Sequence, residues 1–489
     1  MKKYLFILLF GILSAGLTQG QTKSFKRGLA FNALVNDDIL SLSPGLSWVY
    51  NWGQSTSIVP MLNQYNIDYI PMAWSGINKD AIRTFLSAHP EIHYILGFNE
   101  PNFTAQANLT PQQAAAKWAD IEEIADEFGL IIVGPAVNFS PNPPYQNPIS
   151  WYDDFFAACS DCRVDHIALH FYMPSASAIS SNVVPFKKYG KPIWLTEFCA
   201  WESTTTQASQ KKMLIETFDY LETDPDIFRY AWFKERGAGG GYPYYQLLDM
   251  FTPGKLTELG EIFTYMSYYD DNYYFPVDVQ IPAEQYIRMN RGYINMEKTT
   301  DTDGHINLCG MNTQSWLDYN VNIPEDGEYN VYFRISNEYA PDDYSILQMS
   351  VNGTVVGDIT FNNPGKDIWF TQSCKVNFQQ GQQKIRLKFT KGGLRINWWE
   401  ISQNDIDAAP EIEVNNINVY PNPVKDLLHI QTFDNDVNVT LCDIFGKTVF
   451  SGKLINGVID ITSLSVGMYI LNIENSNKEI KVQKIIKED

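Results

Sequence analysis

The stretch YILGFNEPNF (94–103) runs apolar and then stops at Asn99-Glu100, with a proline next. A similar run in KPIWLTEF (191–198) carries Glu197 near its end. Glutamate is a poor strand former, so a carboxylate at each of these places needs a reason. Taken singly, each reads as a solvated strand end or a helix cap. Taken as a pair on opposite sides of one pocket, they can do acid/base or nucleophilic work on a glycosidic bond. Asn99 adds an amide able to hydrogen-bond a sugar hydroxyl.

Such a pair needs a scaffold that brings strand ends together. Residues 24–267 carry eight buried-strand candidates: RGLAFN (27–32), WVYNW (48–52), YIPMAW (69–74), YILGFN (94–99), IIVGPAV (131–137), HIALHFY (166–172), IWLTEF (193–198) and YAWF (230–233). Helical patterns separate several of them. The clearest opens at Thr110-Pro111-Gln112-Gln113, where Thr110 can cap, Pro111 suits the first turn and Gln113 completes a capping box. Trp118, Ile121, Ile124, Ala125 and Phe128 mark its apolar face, and Gly129 ends it. Eight strands alternating with helices predict an α/β fold, a (β/α)8 TIM barrel, with its active site at the C-terminal strand ends. Glu100 then sits after the fourth strand and Glu197 near the end of the seventh. Strand alternation puts Ile193, Leu195 and Glu197 on one face, which is expected to point inward.

Composition narrows the ligand. The 489 residues carry a formal net charge of −20, with 12 Trp, 28 Tyr and 28 Phe. An acidic surface repels phosphate backbones, so no nucleic acid partner is expected. An acidic chain rich in rings suits a neutral ligand with flat apolar faces, as sugars have. Trp52, Trp74 and Trp232 are the rings nearest strand ends and the expected sugar platforms. His170 and Tyr172 share one face of the sixth strand.

The N-terminus, MKKYLFILLFGILSAGLTQGQ, reads as a signal peptide (1–20), too short and wrongly flanked for a transmembrane segment. Export permits disulfides. Cys159 and Cys162 read as a local disulfide or two inert thiols, because a zinc site would need a second ligand pair. Cys309 and Cys374 lie in one section and could pair. The chain divides into 21–267, a linker at 268–280, strand-rich 281–402, a linker at 403–414, and strand-rich 415–489.

The segments SWVYNW (47–52), YILGFNEPN (94–102), GPAV (134–137) and KPIWLTEF together resemble glycoside hydrolase family 128, endo-β-1,3-glucanases of the large retaining (β/α)8 clan. The resemblance implies Glu100 as general acid/base, Glu197 as nucleophile and Asn99 as ligand of the sugar 2-hydroxyl. No cofactor is expected for catalysis. Tyr172 could orient the nucleophile by a hydrogen bond, with His170 beside it. The rival readings are the same mechanism on another β-glycan, such as a mixed-linkage glucan, and a non-catalytic surface glucan-binding protein.

Residues 281–402, with IPAEQY, DIWFTQ and LRINWWEIS, are similar to carbohydrate-binding module family 6, a jelly-roll-like β-sandwich. That similarity offers Trp369 and Asn397 as sugar ligands, although Gly310 falls where a partner tyrosine is usual. It also offers Glu284 and Glu400 as acids of one structural calcium, although Pro282 stands where a first glutamate is common. Residues 415–489, with YPNP, a glycine before MYIL and a basic end, resemble the small all-β sorting domain of type IX secretion. The implied partners are a β-glucan polysaccharide and the secretion machinery. The implied location is outside the cell or on its surface, after export through the outer membrane.

Overall fold

A computed structural model describes residues 21–237, 239, 241–338, 344–362, 367–403, 418–431, 437–443, 447–454, 457–474 and 480–488. The signal peptide and nearly all of the second linker lie outside these residues. Among the described residues no helix is long and apolar enough to cross a membrane.

The N-terminal domain is an eight-stranded parallel sheet in the order β3-β2-β1-β8-β7-β6-β5-β4. Its strands are β1 (Arg27–Ala30), β2 (Trp48–Tyr50), β3 (Asp68–Tyr69), β4 (Tyr94–Leu96), β5 (Ile131–Val137), β6 (His166–Phe171), β7 (Ile193–Phe198) and β8 (Ile227–Phe233). β3 is shorter than the sequence predicts because Pro71 interrupts the run and has no N–H to give. The chain beyond it still closes the barrel. Leu96 donates to the carbonyl of Pro71 at 2.9 Å, Ala73 to that of Leu96 at 2.8 Å, and Asn99 to that of Trp74 at 2.7 Å. The predicted capping box holds as well. The helix α4 (Pro111–Phe128) starts with Thr110 accepting from Gln113 and ends at Gly129 with φ +68°.

The barrel interior is layered. Its floor is a ring cluster of Trp48, Trp194, Tyr94 and Phe228, with the Arg229 guanidinium 4.9 Å from the Tyr94 centroid. Gly28 makes room for it, since a Cβ there would meet the Trp48 ring at 2.2 Å. Above the floor stand small residues, among them Ala30, Ala168 and Ala231. The upper end is polar.

Ile193 and Leu195 do not point inward as alternation alone predicts. They belong to the apolar layer between sheet and helices, and Trp194 faces the interior. β7 carries a bulge: Leu169 pairs Leu195 while His170 pairs Glu197, and Leu195 pairs Tyr230 while Phe198 pairs Trp232. One extra residue, Thr196, restarts the alternation, so Glu197 turns into the barrel mouth although Leu195 faces out.

Residues 268–280 are not a loose linker. Phe275–Pro276 adds a parallel strand beside Trp316–Ile323, and Phe275 and Tyr269 are buried. The sandwich that follows has two sheets of six strands each. It docks on the barrel through one continuous apolar cluster. Arg291 pairs with Asp219 at 2.6 Å, and the ring of His305 stacks on Tyr265. The C-terminal domain has a three- and a four-stranded sheet around its own core, including Leu428, Leu441 and Leu471. Cys159 and Cys162 form a disulfide. Cys309 and Cys374 are unpaired thiols, contrary to the pairing considered from sequence.

One close approach sets a stability expectation. Gly260 lies in helix α8 (Glu258–Tyr265), and a Cβ there would stand 2.0 Å from the carbonyl oxygen of Leu247. Alanine would gain up to ~1 kcal/mol of helix propensity. The clash is with backbone that cannot swing away, and overpacking of this kind costs ~1–3 kcal/mol. Gly260→Ala is therefore expected to lower the Tm of the catalytic domain by several degrees in calorimetry.

Candidate active site

The barrel mouth opens into a cleft of about 600 Å3 lined by both carboxylates, with Trp52, Phe103, Tyr172, Trp201 and Phe233 among its walls. Glu100 follows β4 with φ +40°, and Trp52 follows β2 with φ +60°. Left-handed backbone costs about 1–3 kcal/mol at such residues and clusters at functional sites. Here it aims both side chains at the barrel axis. The turn at Glu100 is held by its own N–H, which donates to the Ala136 carbonyl at 2.8 Å.

Glu197 is 4% exposed and takes three donors. Tyr50 donates to Oε1 at 3.0 Å, Trp52 Nε1 to the same oxygen at 2.7 Å, and the Tyr172 hydroxyl to Oε2. Burial, and then the Glu197 charge, push both phenols well above their ordinary pKa, so they remain protonated donors. Bonds of this number hold the carboxylate in one orientation.

Glu100 has different company. Its Oε1 accepts from Asn138 Nδ2 at 3.0 Å and lies 3.0 Å from His170 Nδ1. The same His170 nitrogen is 3.4 Å from Glu197 Oε2. Burial opposes charge on His170, but Glu197 and then Glu100 outweigh it and raise its pKa. When His170 carries a second proton, it offsets part of the repulsion that two acids in one cleft would feel. An oxygen of each glutamate and a nitrogen of His170 lie within 4.8 Å of one another. This is the one group among the described residues that could converge on a metal ion. Glu100 Oε1, His170 Nδ1 and both Glu197 oxygens are engaged with one another or with Tyr, Trp and Asn donors, whereas His170 Nε2 has no protein partner.

Other expected ligands divide. Asn99 lines the cleft, gives its amide N–H to Gln106 at 3.1 Å and leaves Oδ1 without a donor. Trp74 is half-buried against the interior apolar group and is not part of the cleft wall. Trp232 is fully buried outside the sheet, donates to the Tyr245 carbonyl and packs on Phe198. It cannot hold a sugar; its neighbour Phe233 faces the cleft instead. Tyr50 and Asn138 are not among the residues that the sequence singles out. Their only sequence signal is position: Tyr50 within WVYNW, and Asn138 just after GPAV.

In the sandwich, Trp369 Nε1 donates to Thr300 Oγ1 at 3.0 Å and Asn397 Nδ2 to Asp301 Oδ2 at 2.8 Å. Both side chains are buried under the 300–304 turn; Asn397 borders the cavity between barrel and sandwich, and Trp369 lines neither that cavity nor the catalytic cleft. Glu284 and Glu400 are not brought together. Pro282 pairs Trp398, Ala283 donates to the Asn397 carbonyl, and the charged neighbour of Glu400 is Asp278. As placed, the two acids do not assemble a calcium donor set.

Comparison with known proteins agrees with this layout. Residues 28–263 match a family profile described as a glycosyl hydrolase catalytic core, residues 282–403 a carbohydrate binding module (family 6), and residues 418–488 a secretion system C-terminal sorting domain. The curated protein "Alkali-sensitive linkage protein 1" of Schizosaccharomyces pombe is 29% identical over 258 residues, 49% of this chain. The chain spans 44% of the length of that relative. A subgroup II GH128 endo-β-1,3-glucanase from Pseudomonas viridiflava is 37% identical, covering 50% of this chain and 98% of its own, with a TM-score of 0.47. Its counterpart from Sorangium cellulosum is 39% identical, covering 49% of this chain and 98% of its own, with a TM-score of 0.45. The sequence identity, sustained over nearly the whole of both relatives, shows the family. This chain is a glycoside hydrolase and belongs, through its N-terminal domain, to glycoside hydrolase family 128.

Proposed function

We propose that the chain is a retaining endo-β-1,3-glucanase, with Glu197 as nucleophile and Glu100 as general acid/base, acting outside the cell. The observation that carries this reading is the unequal company of two carboxylates in one cleft. Glu197 takes three phenol and indole donors, while Glu100 faces an amide and an imidazole. Their oxygens approach within 4.8 Å, which suits the ~5–5.5 Å carboxyl gap of retaining enzymes better than the ~6.5–9.5 Å of inverting ones. The β-1,3 linkage is carried over from the two bacterial relatives, both described as endo-β-1,3-glucanases.

In the first step a Glu197 oxygen bonds the anomeric carbon as the glycosidic C–O bond breaks, and Glu100 gives its proton to the leaving oxygen. Glu197 is then a neutral ester. Glu100, now a carboxylate, takes a proton from water as that water attacks the anomeric carbon and releases Glu197. The unpaired Oδ1 of Asn99 is suited to accept from the sugar hydroxyl next to the reacting carbon. The sandwich would add carbohydrate binding, and the sorting domain would direct export, to the surface or beyond it.

Digestion of linear β-1,3-glucan, mixed-linkage glucan, cellulose and xylan, followed by mass spectrometry and early-time proton NMR, tests the reading. β-1,3-linked oligomers with β-anomers formed first support it. Cleavage of another substrate alone discards the linkage, and α-anomers formed first discard retention. Binding to glucan without cleavage of any substrate would favour a surface binding protein.

Tyr50→Phe isolates one donor to the nucleophile. A hydrogen bond to a charged group is worth ~1.5–3 kcal/mol, or about 10- to 100-fold in rate. Steady-state kinetics should show that loss in kcat, with KM changed little because the hydroxyl touches Glu197.

A further inference from the structure

The seam between barrel and sandwich encloses a second cavity, of about 470 Å3, that shares no lining residue with the catalytic cleft. Gln21, which precedes β1, and Tyr265, which ends α8, both line it. Both lie at the N-terminal ends of the parallel strands, so this cavity opens at the end of the barrel opposite the carboxylate pair. Its size falls within the ~300–1,000 Å3 typical of small-ligand sites.

Its polar groups are arranged in an unusual way. Gln21 gives its amide N–H to the Gln285 carbonyl at 2.9 Å, and Gln285 gives its own to the Tyr265 carbonyl at 2.9 Å. Each amide is thereby fixed, and each side-chain oxygen is left with no protein donor. Glu284, only 5% exposed, contributes a third oxygen in the same condition. Buried acceptors are normally paired, and three around one cavity call for a ligand that brings several donors. The half-buried rings of Tyr268, Tyr273 and Trp398 form its walls and suit apolar C–H faces.

We propose that this seam is a second carbohydrate site, which takes the end of a neutral oligosaccharide by its hydroxyl groups and ring faces. Acceptor-only oxygens and a carboxyl group disfavour phosphate, sulfate and other anions. A glycan held here would tether the enzyme by the closed end of its barrel and leave the catalytic cleft facing outward. The proposal does not depend on the roles of Glu100 and Glu197 or on the β-1,3 linkage.

Hydrogen-exchange mass spectrometry tests it on the full chain carrying Glu197→Gln, which keeps the probes intact. The probes are laminaribiose, cellobiose and xylobiose, and calcium chloride alone. At least one disaccharide is expected to protect peptides covering 282–286 and 303–305, separately from any protection at 99–106 and 197–201. Gln285→Leu should weaken seam protection at least tenfold and leave cleft protection unchanged. If that variant misfolds, Tyr273→Ala, which removes a wall ring, carries the same comparison. Protection confined to the cleft, or seam protection by calcium and by no sugar, overturns the proposal.

Discussion

Glu197→Gly is expected to lower glucan turnover by at least ~10⁴-fold, on the scale seen when a nucleophile is removed. Sodium azide should restore cleavage of an aryl β-glycoside and yield an α-glycosyl azide. The glycine leaves space where the carboxylate stood, and azide can attack the anomeric carbon once, from that face. One displacement inverts the configuration. Tyr50, Trp52 and Tyr172 would still surround the space, so an anion placed there meets the donors that Glu197 met. A β-glycosyl azide from this variant would instead exchange the roles of the two glutamates. Unchanged turnover would remove Glu197 from the chemistry altogether.

Glu100→Gln should separate the two steps. General acid assistance is worth ~10²–10⁴-fold, and a sugar alkoxide needs it far more than a phenolate of low basicity. The loss should approach ~10³-fold on glucan, yet bond cleavage in a dinitrophenyl β-glycoside should be nearly unaffected. Without a base for water the ester on Glu197 should accumulate, seen as a burst of dinitrophenolate and as a covalent adduct by mass spectrometry. An equal loss on both substrates would place the role of Glu100 in binding rather than in proton transfer. Glutamine keeps an oxygen for Asn138 and His170, so a fallen Tm would not account for the difference between substrates.

Much of this architecture could be read from short windows. The strands announce themselves as apolar runs of four to seven residues, and α4 by its capping box and terminal glycine, because hydrogen-bond satisfaction at a helix end is local. The abrupt stops at Asn99-Glu100 and near Glu197 mark strand ends in the same way. The disulfide of Cys159 and Cys162 closes within one turn and needed no distant partner. By contrast, Trp232 and Phe233 are equally hydrophobic, and the sequence does not say which one faces sugar. The pairing of β8 with β1 and β7 sets that, and it sends Trp232 outward.

By itself, then, the sequence determined the fold class, the family, and the two glutamates at strand ends, because propensity, periodicity and motif spacing are properties of neighbours in the chain. Only the tertiary structure decided which side chains surround those glutamates. Tyr50 and Glu197 are separated by 147 residues, and Asn138 and Glu100 by 38. Their meeting depends on barrel closure and on the bulge at Thr196, where β7 slips by one residue against both β6 and β8. The seam between barrel and sandwich was hidden for the same reason. Residues 268–280 have the composition of a linker, and they become core only where the second sheet offers Trp316–Ile323 as a partner.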